Sequence, residues 1–122
     1  MAWKKPADGL AALHEQLVEI YPSVKKQMFG FPVRFVNDNM FTGIFEDGVF
    51  MRLSSEDKAE ILCENDEISP FTPLGRTMKE YVFIPANVFE QQDFRDKWLE
   101  KSYAFVSSLL PKVKKEKQQK KD

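Results

Sequence analysis

Six of the chain's eleven phenylalanines fall between residues 28 and 54, and two turn signals divide that run. Asn37-Asp38-Asn39 reads as a three-residue turn and Asp47-Gly48 as a two-residue type I′ turn, which needs positive φ at both central positions. Three short antiparallel strands follow. With Val36 opposite Met40 and Glu46 opposite Val49, one face carries Phe31, Val33, Phe35, Phe41, Phe45 and Phe50, with Gly43 opposite Arg52. The other carries Pro32, Arg34, Val36, Met40, Thr42, Ile44, Met51 and Leu53. Neither face shows the polar alternation of a solvated side, so the second face is predicted to be partly covered too.

The flanking segments supply the covers. Asp8 is placed to cap a helix in which Leu10, Leu13, Leu17, Ile20 and Tyr21 recur at helical spacing, and Pro22 ends it. Ser54-Ser55-Glu56-Asp57 opens a second helix through about Cys63. Pro70 to Pro73 and Lys79 to Ile84 read as two more strands, the first an edge because of its prolines. A last helix, about Gln91 to Leu110, puts Phe94, Trp98, Phe105 and Leu109 on one line and Leu99, Tyr103, Val106 and Leu110 on the next. That apolar arc is wider than one packed surface needs, and it predicts a homodimer surface at Leu99, Tyr103, Val106 and Leu110. Packing against Leu10, Leu13 and Leu17 is the competing use. The predicted fold is a two-layer α+β domain with an antiparallel sheet, in the order α-β-β-β-α-β-β-α.

The net charge of −1 conceals a division. Residues 111–122 hold six of the 18 Lys and Arg residues and two of the 19 Asp and Glu residues, which leaves 12 basic against 17 acidic residues elsewhere, a net −5. The reading is a folded domain over 1–110 and a Lys-rich tail over 111–122, predicted disordered. An acidic body argues against a nucleic-acid footprint on the fold itself. The N-terminus carries no signal-like apolar run and no segment reaches membrane-spanning length, so a cytoplasmic protein without membrane contact is expected.

Little here can carry catalysis. His14 and Cys63 are the sole members of their kinds, and neither builds a triad or a zinc site alone. His14 is read as a solvated or hydrogen-bonded residue flanking the apolar stripe, and Cys63 as a small buried apolar residue. The five glycines never cluster as a phosphate loop requires. Gly48 is read as the positive-φ residue of the hairpin, and Gly43 as room for the Arg52 stem. Glu56, Asp57, Glu60 and Glu64 form a solvated helix face, not a calcium loop. No cofactor and no metal site is expected. Arg52, set among phenylalanines, needs a carboxylate, a carbonyl or a ligand anion, and with Arg76 and Lys79 it is the candidate anion or partner contact. The alternative is a strand-end arginine stacked on an aromatic ring and reaching a surface acid.

Met28-Phe29-Gly30, Met40-Phe41, Arg52, Pro70-Phe71, Gly75-Arg76-Thr77-Met78-Lys79-Glu80-Tyr81-Val82, Pro85 and Trp98-Leu99 together resemble the signature of the TfoX/Sxy N-terminal domain family. The resemblance runs from about residue 10 to 110. It implies a secretion-chaperone-like α+β fold and a kinship with transcriptional co-regulators of DNA uptake competence. Longer members join this domain to a helical C-terminal one, so the chain is identified as a single-domain member lacking that second domain. It departs from the Gly-Gly-x-Gly form of many members, having Gly30-Phe31-Pro32-Val33. The resemblance marks Arg52 and Gly75-Arg76 as family positions without a catalytic role. The function expected is a small non-enzymatic interaction or regulatory module with a protein partner. One alternative is nucleic-acid binding through the basic tail and neighbouring Arg and Lys residues, weak and non-specific; the other is an enzyme with no recognisable active site.

Overall fold

The computed structural model describes residues 9–109. The predicted cap Asp8, Leu110 and the tail therefore lie outside the described residues. Within them the chain runs α1 (Leu10–Val18), β1 (Val24–Met28), β2 (Phe31–Val36), β3 (Asn39–Phe45), β4 (Gly48–Arg52), α2 (Ser55–Glu64), β5 (Ser69–Pro70), a 3-10 turn (Pro73–Gly75), β6 (Tyr81–Pro85), α3 (Ala86–Phe89) and α4 (Gln92–Ser108). The predicted α+β order is present. The structure adds an edge strand, β1, and the short helix α3.

Six strands form one antiparallel sheet in the order β1-β2-β3-β4-β6-β5. Two-residue turns make its first four strands a meander. Phe29 and Gly30 (φ 58° and 82°) join β1 to β2, and Asn37 and Asp38 (φ 52° and 67°) join β2 to β3, both pairs left-handed as a type I′ turn demands. The 37–39 segment is thus a two-residue turn with Val36 opposite Asn39, not the three-residue turn read from sequence.

The next turn corrects a second expectation. Glu46 (φ 49°) and Asp47 are its central residues, and Gly48 already lies in β4, opposite Phe45. Gly48 does not have positive φ. Its hydrogen is needed for space, because a Cβ there would strike the Phe83 ring and come within 2.7 Å of the Ile84 carbonyl oxygen. Gly43 likewise faces Phe50, not Arg52, and a Cβ on it would lie 2.5 Å from Val33 Cγ1 and 2.8 Å from Phe50 Cζ. The true register is slipped by two residues from the expected one. A two-residue slip leaves every side chain of β4 on its expected face.

One face of the sheet is the aromatic one. Phe71, entering from β5, stacks on Phe50 at 4.5 Å and nearly parallel, meets Phe45 edge-on at 5.3 Å and stacks on Phe83 at 6.3 Å. Phe71 covers part of this face, and Phe31, Phe45 and Phe50 are buried on it. On the other, Thr42, Ile44, Val49, Met51, Val82 and Ile84 lie buried under α1, α3 and α4. Both faces are covered, the second more fully than the partial cover predicted. A bulge between Arg34 and Phe35 pairs Phe35 with Met40 and leaves Phe41 unpaired, so Met40 and Phe41 exchange faces. Phe41 accordingly packs against Tyr21 and Tyr103 on the helical side, at 5.8 Å and 5.5 Å.

α1 also packs differently from its predicted stripe. Its buried residues are Leu10, His14 and Val18, with Leu13 and Leu17 on the flank; Ile20, past the helix end, is 73% exposed. His14 is therefore not a flank residue. Its Nε2 lies 3.2 Å from Thr42 Oγ1, whose own proton goes to the Phe50 carbonyl at 2.6 Å. The hydroxyl must then accept, so Nε2 carries the imidazole proton. Burial, with the Arg34 charge as a lesser cause, lowers the His14 pKa to about 3.

Two outcomes test this packing. Gly48→Ala should cost about 1–3 kcal/mol, measured by urea unfolding, and Phe83→Leu in the same chain should recover part of it. A requirement for positive φ would give no recovery. Because the folded pKa of His14 lies below its ordinary 6.5, protonation favours the unfolded chain. Its contribution is present in full above pH 6.5 and declines by roughly 1.4 kcal/mol per unit as pH falls toward about 3. With one histidine in the chain, a urea midpoint that drops between pH 7.5 and 5 in the wild type and stays flat in His14→Gln is expected.

Candidate binding groove

Arg52 ends β4, and its guanidinium donates from Nε and Nη2 to Glu80 Oε1 at 3.0 Å and 2.8 Å. The Tyr81 and Phe105 rings lie 5.7 Å and 5.9 Å from its Cζ. Register explains the partner. Arg52 stands opposite Tyr81, which brings residue 80 to the end of β4, and the Leu53 N–H donates to the Glu80 carbonyl at 2.7 Å. Glu80 has a left-handed backbone, φ 73°, costly for a residue with a Cβ. The ion pair and this backbone bond hold it there. Ser102 of α4 donates to the Arg52 carbonyl at 2.6 Å and Tyr81 to the Met40 carbonyl at 2.9 Å, so Arg52 sits where the sheet, α4 and the loop before β6 meet. Burial pushes the Tyr81 phenol up to about 12 against the lowering influence of Arg52, and so keeps that hydroxyl a donor.

The three cations grouped from sequence do not share one pocket. Arg52 lines a hollow with Phe35, Asn39, Met40, Met78 and Tyr81. Lys79 is exposed and faces a different groove, and Arg76, exposed just after the 3-10 turn, lines neither. The groove beside Lys79 has a volume of about 500 Å³ and runs between α2 and the loop before β6, lined by Ser55, Lys58, Ala59, Leu62, Lys79 and Glu80.

The sequence of α2 sets its shape. Ser54 caps the helix by accepting the Asp57 N–H at 3.1 Å, and Ile61 alone enters the core. Leu62 is left half-buried and Ala59 exposed, as the groove's apolar floor. On the far side of α2, Lys97 reaches Glu64 and Glu60 at 3.6 Å and 4.0 Å, and Lys101 reaches Asp57 at 3.9 Å. These acids serve α4. Lys58 and Lys79, by contrast, have no carboxylate partner among the described residues. The groove can receive a negatively charged group over an apolar contact.

The remaining predicted residues fall elsewhere. Leu99 and Val106 are 1% and 0% exposed inside the chain's own core, which removes them from any surface. Tyr103 is half-buried against Tyr21 and Phe41, and Leu110 is outside the described residues. Cys63 is exposed, not buried, because α2 turns only Ile61 inward. Glu80 and Lys58 were not singled out from sequence. The pairing of β4 with β6 was the signal for Glu80; Lys58 offered none beyond its place in an acidic helix. Among the described residues no group of three or more His, Cys, Asp or Glu could hold a metal ion, and no helix is long and apolar enough to cross a membrane.

These features define a small α+β domain built on one antiparallel sheet, with helices over one face and an aromatic cluster on the other. Residues 15–106 match the TfoX N-terminal domain, and the chain belongs to that family. No curated protein and no solved structure matches it.

If the Arg52 and Glu80 side chains act as a unit, Arg52→Met and Glu80→Ala should each cost about 1–2 kcal/mol, and the double variant little more than either alone. Additive urea-unfolding losses would contradict the pairing.

Proposed function

We propose that the chain is a non-enzymatic interaction module of regulatory type, and that the groove between α2 and the loop before β6 receives an acidic segment of a partner protein. The observation that carries this reading is the pair Lys58 and Lys79, without carboxylate partners among the described residues, lining one groove with Ala59 and Leu62. In a body whose other residues outnumber their cations with acids, two such lysines over an apolar floor supply charge for orientation and an apolar contact for affinity. Kinship with the family supports a regulatory role.

A photo-crosslinking residue placed at Ala59, which is exposed on the groove floor, tests this in cells. One or a few protein adducts should form, disappear in Lys58→Glu/Lys79→Glu and persist when residues 112–122 are removed. Adducts lost with the tail but not with the double substitution would favour the basic tail as the contact. Adducts unchanged by both would contradict the groove.

A further inference from the structure

Among the described residues β1 is an edge strand of the sheet, at the opposite end of the strand order from β6 and β5. Among those residues it pairs on one side only, with β2, and Val24, Lys25, Lys26 and Gln27 are exposed. Its outer backbone donors and acceptors form a ready template for another strand. Ile20 and Val24, the exposed large apolar side chains of the described residues at 73% and 57%, lie just before and on this strand.

Charge decides among the occupants. Lys25 and Arg34 share one carboxylate, Glu15, while Lys26, on the opposite face of the strand, lies 4.8 Å over the Phe35 ring. The edge is locally positive. A second copy pairing antiparallel over the whole strand would set Lys26 against Lys26, which is repulsive. The chain's own segments outside the described residues are also basic: 1–8 carries Lys4 and Lys5 against Asp8, and 110–122 carries six lysines. None of these complements the edge.

We infer that β1 accepts an extended acidic segment of a different protein by strand addition. The pleat specifies its pattern. Val24, Lys26 and Met28 share one face, with Phe35, Val33 and Phe31 opposite them on β2; Lys25 and Gln27 share the other, with Arg34 and Pro32. A strand running antiparallel to β1 then needs an apolar residue facing Met28, a polar one facing Gln27, acids facing Lys26 and Lys25, and an apolar residue facing Val24.

The probe is a fluorescent heptapeptide, Thr-Val-Thr-Glu-Glu-Val-Thr, titrated into the full chain at low salt with amide NMR shifts recorded alongside. Binding is expected with shifts centred on residues 24–28. The same peptide with both Glu changed to Lys should bind about tenfold more weakly, since two cross-strand pairs turn from attractive to repulsive. Lys25→Glu/Lys26→Glu should reverse the preference, and N-methylation of the peptide backbone should abolish binding. No binding, equal binding of both peptides, or shifts confined to Lys58 and Lys79 would overturn the inference. Concentration-dependent dimerisation with protection of the amides of 24–28 that point away from β2, or protection of those outward amides in the dilute free chain, would show another occupant of the edge and overturn it too.

Discussion

The close approach of aromatic rings to two glycines is the constraint on which the rest of the sheet depends. Gly43 admits Phe50 beside Val33, and Gly48 admits Phe83 against the β6 backbone, so the β3-β4-β6 register has no freedom to slide. Phe71 then closes the stack over both rings. Burial of such side chains contributes about 1.5–3 kcal/mol each, and their joint geometry selects one alignment among several with the same hydrophobic pattern.

That alignment has consequences at the far end of β4. Fixing Phe50 opposite Phe83 fixes Arg52 opposite Tyr81, which delivers Glu80 to the guanidinium. The pair anchors the loop before β6, and the position of that loop against α2 makes the groove flanked by Lys58 and Lys79. The feature most suggestive of a ligand in the sequence is thus an internal strut, and Lys58 and Lys79, without carboxylate partners among the described residues, stand beside it.

Much of the architecture was legible because face and period survive small errors. The aromatic run placed β4 on its correct faces although the turn at 46–47 was read one residue late, since the resulting slip was of two residues. The bulge at Phe41 was not legible: an exchange of faces by Met40 and Phe41 leaves an equally apolar pattern. β1 escaped for the opposite reason, because Val-Lys-Lys-Gln-Met is an edge strand without alternation. His14 looked like a flank residue because burial of its ring depends on a hydroxyl 28 positions away, Thr42, and no local spacing encodes that bond. The site was legible only as a need of Arg52 for an anion; that Glu80 meets it follows from strand pairing, and the role of Lys58 follows from where α2 comes to rest.

The central claim is that this domain works by binding another polypeptide. Native mass spectrometry of the chain isolated gently from its own cells addresses it most directly. The account predicts a stoichiometric complex with a second polypeptide that contains an acidic segment and dissociates as salt is raised. A chain that instead carries a bound small-molecule metabolite or cofactor, and no polypeptide, would contradict it.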